Sequence, residues 1–175
     1  MNKLFEQDYY RMTGKKWSPT SVFYLIFRYD LRYLKHIRNQ RGGGVHTLLS
    51  LRYSRKYGLE VLSSNIGPGL YLGHAHNINV HPDAVIGKNC NLNKGCTVGR
   101  ENRGSRNGVP IVGDNVWIGS NAMVCGKIKI GHDVLIAPNA YVNFDVPDHS
   151  VVVGNPGKIY SRINATEGYI TNKVE

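Results

Sequence analysis

The sequence has no apolar run long enough to cross a bilayer, and its first twenty residues are polar and charged. The expectation is therefore a chain with neither a membrane-spanning helix nor a secretory leader. Cysteine is scarce. Cys90, Cys96 and Cys125 are an odd number without metal-ligand spacing, which argues against a disulfide framework or a zinc site. Cys90 and Cys96 fall on small inward positions of the repeat described below, so they read as inert thiols in a reducing, cytoplasmic setting. Acidic residues are also few, 12 against 22 Lys and Arg, for a net charge of +10. The imbalance sits in residues 1–60, with twelve basic and four acidic side chains. Such asymmetry points to an anionic partner for the basic part. No nucleic-acid motif is visible and the aromatics lie at helical spacing, so nucleic acid is not the expected partner.

A short period dominates what remains. From Ile66 to Val146 an aliphatic residue returns every six residues, often followed by glycine. A second inward position sits two residues earlier, as at His76, Cys90, Cys96, Val116 and Ala122. Two apolar residues separated by a polar one make a short strand with one buried face. Intervening Gly, Asn and Asp supply turns. Such units cannot bury a face alone, but coils of three can stack into a triangular prism. The anchors then form three columns: Leu72, Leu92, Ile118, Ile136; Ile78, Val98, Val124, Val142; and Ile66, Ile86, Val112, Ile130. The count is interrupted by two extra residues, assigned to 80–83, and by a polar, basic segment at 99–111 that should leave the prism as a functional loop.

Ahead of the repeat the pattern is helical. Residues 4–13 read as a helix carrying Phe5, Tyr9 and Tyr10 and ending near Gly14. Ser18-Pro19 opens a longer helix over 19–40, with an apolar stripe of Val22, Phe23, Ile26, Tyr29, Tyr33 and Ile37. Arg28, Arg32, Lys35 and Arg38 line another side, and Gly42-Gly43-Gly44 breaks the helix. A third helix spans 45–57, with Leu48, Leu49 and Leu51. This segment reads as a cap on the first coil, and its basic helix could also rest on anionic lipid at the inner face of the membrane. The expected organisation is a basic helical segment 1–58, a repeat domain 59–160 and a tail 161–175.

The repeat, Leu72-Gly73-His74-Ala75, Asp83 to Asn89, and the closing Val146-Pro147-Asp148 and Val153-Gly154-Asn155-Pro156-Gly157-Lys158 together resemble the hexapeptide-repeat acyltransferases. Within them the chain looks most like the serine acetyltransferase branch and its surface-polysaccharide relatives, which Asp8-Tyr9-Tyr10-Arg11 and Gly14 also resemble. The resemblance implies a left-handed parallel β-helix, a homotrimer, and acetyl-CoA in a groove between subunits. It implies His74 as the general base that takes the proton of an attacking hydroxyl, with backbone N–H groups for the oxyanion. CoA leaves as a thiol, so no metal is needed. On the donor side, Lys158 matches a basic residue that meets a CoA phosphate. Gly119, Ser120 and Pro138 match the backbone lining the pantetheine arm, and Trp117 is outward by the period-two count, as a wall of that groove. His76 and His81 beside His74 lack a carboxylate or thiolate to complete a metal set, and His76 reads as buried near the active corner.

The match has gaps, which bear on acceptor recognition and leave the base and the donor groove intact. Serine acetyltransferases carry an aspartate where Gly73 stands here. An upstream aspartate that orients the base corresponds to Leu59, with Glu60 next door as the candidate second catalytic residue. Their loop Arg-His pair is replaced by Arg106-Asn107, which leaves Arg103, Arg106 and Asn107, together with His76 at the corner, as acceptor candidates. Their terminal isoleucine and long helical N-terminal domain have no counterpart. The main expectation is therefore an acetyl-CoA O-acetyltransferase acting on a sugar hydroxyl of a capsule, O-antigen or exopolysaccharide precursor. The alternative is a serine O-acetyltransferase, and a non-catalytic trimeric scaffold is the reading of another class.

Overall fold

The computed structural model describes residues 2–39, 44–61 and 65–175. It is mainly β, with a helical cap on a parallel solenoid of about five turns.

The cap begins with α1 (Lys3–Thr13). The Asn2 side chain accepts from the Leu4 N–H at its start, and left-handed Gly14 closes its end. Phe5, Tyr9 and Met12 share one buried face, and Trp17 packs edge-on against Phe5 and Tyr9. The single helix expected over 19–40 is broken. A 3-10 turn at Pro19–Ser21 leads into α2 (Val22–Phe27), and α3 (Tyr29–Arg38) follows after Arg28 at φ −105°, ψ 91°. The Asp30 carboxylate accepts from the Arg28 guanidinium and from the Leu31 N–H. That local bond competes with a continuous helix. The break re-phases the apolar stripe. Leu25, Leu31, Tyr33 and Leu34 turn inward, whereas Val22, Phe23, Ile26 and Phe27 face out, the last 84% exposed. The basic side is also used internally: Arg28 pairs with Asp30, Arg32 lies over the Tyr53 ring, and Arg38 pairs with buried Asp8. Helix α4 (Gly44–Tyr57) matches the third expected helix; Gly42 and Gly43 lie outside the described residues.

The solenoid has three faces. Face A stacks β1 (Leu59–Val61), β3 (Ile78–Val80), β6 (Thr97–Gly99), β9 (Met123–Cys125) and β12 (Tyr141–Val142). Face B stacks β4 (Val85–Ile86), β7 (Ile111–Val112) and β10 (Lys129–Ile130). Face C stacks β2 (Tyr71–Gly73), β5 (Asn91–Asn93), β8 (Val116–Ile118), β11 (Val134–Ile136) and β13 (Ser150–Val153), closed by antiparallel β14 (Lys158–Ser161). Two anchor columns run as expected: Leu72, Leu92, Ile118 and Ile136 in register, and Ile66, Ile86, Val112 and Ile130. The third is corrected. Val80, not Ile78, aligns with Val98, Val124 and Val142, while Ile78 pairs with Leu59. The two extra residues therefore sit between Leu72 and Val80, in the corner that holds His74. Ile78 and Val80 are both apolar and share a strand face, so the period alone could not choose between them.

The cap is fastened to the first coil by a buried ion pair. Arg38 Nε lies 2.7 Å from Asp8 Oδ2, Nη1 and Nη2 of the same side chain donate to the carbonyls of Ile66 and Gly67, and Asp8 accepts from the Leu70 N–H. Burial pushes the Asp8 carboxyl up, and the Arg38 charge opposes it. Tyr33 donates to the Leu59 carbonyl and accepts from the Val61 N–H, taking the place of a neighbouring strand at the end of face A. The tail straps face C. Its Thr166 and Ala165 N–H groups bind Asp133, Val174 exchanges two hydrogen bonds with Asn89, and Arg11 of α1 reaches Asn91 and the Thr171 carbonyl. Cys90 and Cys96 lie inside the prism, where burial pushes each thiol up to about 12.

Candidate active site

The face C to face A edge is built from corner residues: Gly73-His74, Asn93-Lys94, Gly119-Ser120, Ala137-Pro138 and Val153-Gly154. Backbone bonds stack them, from the Lys94 N–H to Gly73, Asn121 to Lys94, Asn139 to Ser120 and Tyr141 to Gly154. Neighbouring coils lie about 4.8 Å apart, so the edge runs about 19 Å from His74 to Gly154. Gly119 is required here, because an added β-carbon would meet the Pro138 nitrogen at 2.5 Å.

His74 sits in the enlarged first corner in a left-handed conformation, φ 48°, and its side chain is exposed. A non-glycine residue is uncommon in that region, although His is among the types enriched there. Alternation down the strand fails at this corner: Ala75 takes the buried place and His74 is turned out. The imidazole opens on a cleft of about 330 Å³ lined by Arg28, Tyr29, Asp30, Tyr71, Leu72, Gly73, Ala75 and Asn93. Arg28 binds Asp30 through two nitrogens, Nε at 2.9 Å and Nη2 at 2.7 Å. Hydrogen bonding to Asp30 raises the Arg28 pKa against partial burial. Arg28, Tyr29, Asp30, Tyr71 and Asn93 were not singled out for the site from sequence. The Arg-x-Asp at a helix break is a weak signal, and only the folded cap brings it beside residue 74.

The structure gathers some of the expected residues and separates others. Gly119, Ser120 and Pro138 share the His74 edge, and Lys158 stands beyond its far end, exposed at the start of β14. Trp117 lies outward on face C as expected, but that face is covered: its ring packs against Tyr169 of the tail at 5.0 Å. His76 does not occupy the inward position predicted for it. It is half-buried between Tyr29 and Tyr57, edge-on to both, at 5.5 and 5.3 Å. The two-residue enlargement of the corner moves it off the inward register. Glu60 points outward on face A and accepts from Asn79 Nδ2 at 2.6 Å. Arg103, Arg106 and Asn107 belong to a loop that leaves the prism between β6 and β7, at the face A to face B edge. The loop is pinned by mutual Glu101 and Gly108 backbone bonds and by Arg100 donating to Asn107. Within one chain it springs from a different edge than His74. Among the described residues no group of three or more His, Cys, Asp or Glu side chains is arranged to hold a metal ion.

Comparison with known proteins follows the same lines. Residues 110–143 match the family described as bacterial transferase hexapeptide (six repeats). Serine acetyltransferase 4 of Arabidopsis thaliana is 31% identical over 124 residues, covering 70% of this chain and 35% of that protein. The crystal structure of Neisseria gonorrhoeae serine acetyltransferase in complex with serine superposes with a TM-score of 0.68 at 30% identity, covering 91% of this chain and 68% of that one. A serine acetyltransferase in complex with CoA gives 0.61 at 27% identity, covering 74% and 55%. The chain spans about a third of the length of its Arabidopsis relative. The shared architecture is a left-handed parallel β-helix with N-terminal helices. The six-residue coils, the stacked corners and these likenesses place the chain in the hexapeptide-repeat transferase family.

Proposed function

We propose that the chain is an acetyl-CoA-dependent O-acetyltransferase in which His74 is the general base. The observation that carries this reading is the turned-out imidazole of His74 at the foot of an open edge. Acetyl-CoA would lie along that edge, with Gly119, Ser120 and Pro138 beside the pantetheine arm and Lys158 at its phosphate end. The acceptor oxygen attacks the thioester carbonyl as His74 takes its proton. The carbon–sulfur bond then breaks, and the proton passes to the departing CoA thiolate. The working unit is a homotrimer. Face C is closed by α1 and the tail, which leaves faces A and B for neighbouring copies. A loop carrying Arg103, Arg106 and Asn107 from one copy would then meet the His74 edge of the next.

For the acceptor, the comparisons favour L-serine, the alternative above, over the saccharide. One observation keeps a sugar hydroxyl as the second reading. A side chain at position 73 would collide with Asn93 Oδ1, so a carboxylate immediately before His74 would have to displace the Asn93 side chain. Thiol release from acetyl-CoA, measured with L-serine, neutral sugars and acidic sugars, separates these readings. Release with serine supports the first and release only with a saccharide the second. No release with any acceptor and no CoA binding would leave a non-catalytic scaffold.

No helix among the described residues is long and apolar enough to cross a membrane. A peripheral contact with the inner membrane face remains part of the proposal for a cytoplasmic protein, through α2 rather than the internally paired arginines of α3. Val22, Phe23, Ile26 and Phe27 stand exposed there, shortly after Lys15 and Lys16 in the chain.

A further inference from the structure

The His74 cleft holds a charged group that the acetyl-transfer chemistry does not use. Arg28 closes its Nε and Nη2 edge on Asp30, and Asp30 is itself held by the Leu31 N–H. This fixes the plane of the guanidinium. Nη1 has no protein acceptor among the described residues, and the Arg28 side chain remains 39% exposed, while Asp30 is 12% exposed. A guanidinium held along one edge still offers a second pair of N–H donors in fork geometry, the arrangement that matches a carboxylate. The surroundings favour an anion. Lys94 lies one coil above His74 on the same edge. Tyr71 and Tyr29 line the same cleft as Arg28 and His74.

We propose that Arg28, locked by Asp30, is the anchor for the acceptor, and that it selects an alcohol that also carries a carboxylate. Its source is either a free hydroxy amino acid or a uronic acid unit of a saccharide. The anchor binds the carboxylate and the cleft directs a hydroxyl of the same molecule toward His74. This rests on the acetyl-transfer reading only in taking His74 as the reacting end.

The test is equilibrium binding to the whole 175-residue chain, by calorimetry, of two pairs of probes: L-serine against L-serinamide, and D-glucuronate against D-glucose. Losing a charge-assisted hydrogen bond should weaken binding about tenfold to a hundredfold. The wild type should prefer one or both carboxylates over their carboxylate-free partners by that margin, and the pair that shows it identifies the source. Arg28→Gln should abolish the preference, and Arg28→Lys should retain part of it. Because Arg28→Gln leaves Asp30 without its partner, the double variant Arg28→Gln/Asp30→Asn, which removes both charges, is measured alongside. A preference that survives in both variants overturns the proposal, as does a wild type that binds neither carboxylate or shows no preference. Arg28-dependent carboxylate binding without thiol release would sink the acetyl-transfer reading and leave the anchor standing.

Discussion

Gly73 and Asn93 face each other across one coil step, and a β-carbon on Gly73 would run into the Asn93 side-chain oxygen. Asn93 is fixed in turn, since its Nδ2 donates to the Ile118 carbonyl at 2.7 Å. Gly73→Ala should therefore cost about 1–3 kcal/mol, as for overpacking, and Gly73→Asp more. Replacing Asn93 with Gly in the double variant should remove the collision, leaving the cost of one hydrogen bond and of a glycine within β5. Urea unfolding of the four proteins checks this, and simple additivity would mean the two positions do not meet.

The Asp8–Arg38 pair decides whether the cap stays on the first coil. Arg38→Met strands a carboxylate with no solvent access and should cost about 3–5 kcal/mol, whereas Asp8→Asn/Arg38→Met should cost less than that single change. Hydrogen exchange over residues 3–13 gives the readout. Unchanged protection of α1 in Arg38→Met would show that the cap is held elsewhere.

The tail should respond to acid. Burial raises the Asp133 carboxyl, but hydrogen bonds from the Thr166 hydroxyl, His149 and the N–H groups of Thr166 and Ala165 outweigh it and hold the pKa at about 2, against 3.8 unperturbed. A depressed carboxylate contributes stability that is full above the unfolded value and lost as pH falls through the folded one. The tail should therefore loosen between about pH 4 and about pH 2, and Asp133→Asn should remove that component. Trp117 packs under Tyr169 and reports the change by fluorescence. An acid transition unaltered in Asp133→Asn would contradict the assignment.

Membrane contact would run through α2. Phe23→Ser/Phe27→Ser should reduce co-sedimentation with phosphatidylglycerol vesicles roughly tenfold or more, given about 25 cal/mol per Å² of apolar surface withdrawn from water. Phosphatidylcholine vesicles should bind weakly in either case. Equal recovery of both proteins on anionic vesicles would remove α2 from any such role.

Much of this fold was legible because its determinants are local. The six-residue period, the outward 99–111 loop and the inert cysteines all follow from side-chain alternation and small-residue placement. The cap was legible as helices but not in phase. A two-residue bond from Arg28 to Asp30 breaks the expected long helix and turns Phe23 and Phe27 outward. The register at Ile78 is not legible in the sequence, because two apolar residues on one strand face are interchangeable until their neighbours are known. The cleft was half legible. His74 comes with its motif, but Arg28, Asp30 and Asn93 reach it from other elements by tertiary packing. Trp117 and His76 likewise depend on long-range partners, the tail and the tyrosines of the cap.

The most direct test of the account is thiol release from acetyl-CoA with L-serine as acceptor, compared between the wild type and His74→Ala at matched assembly state. The expected result is turnover by the wild type and a loss of about a hundredfold or more in the variant, with acetyl-CoA binding retained. Near-normal turnover by His74→Ala would contradict it.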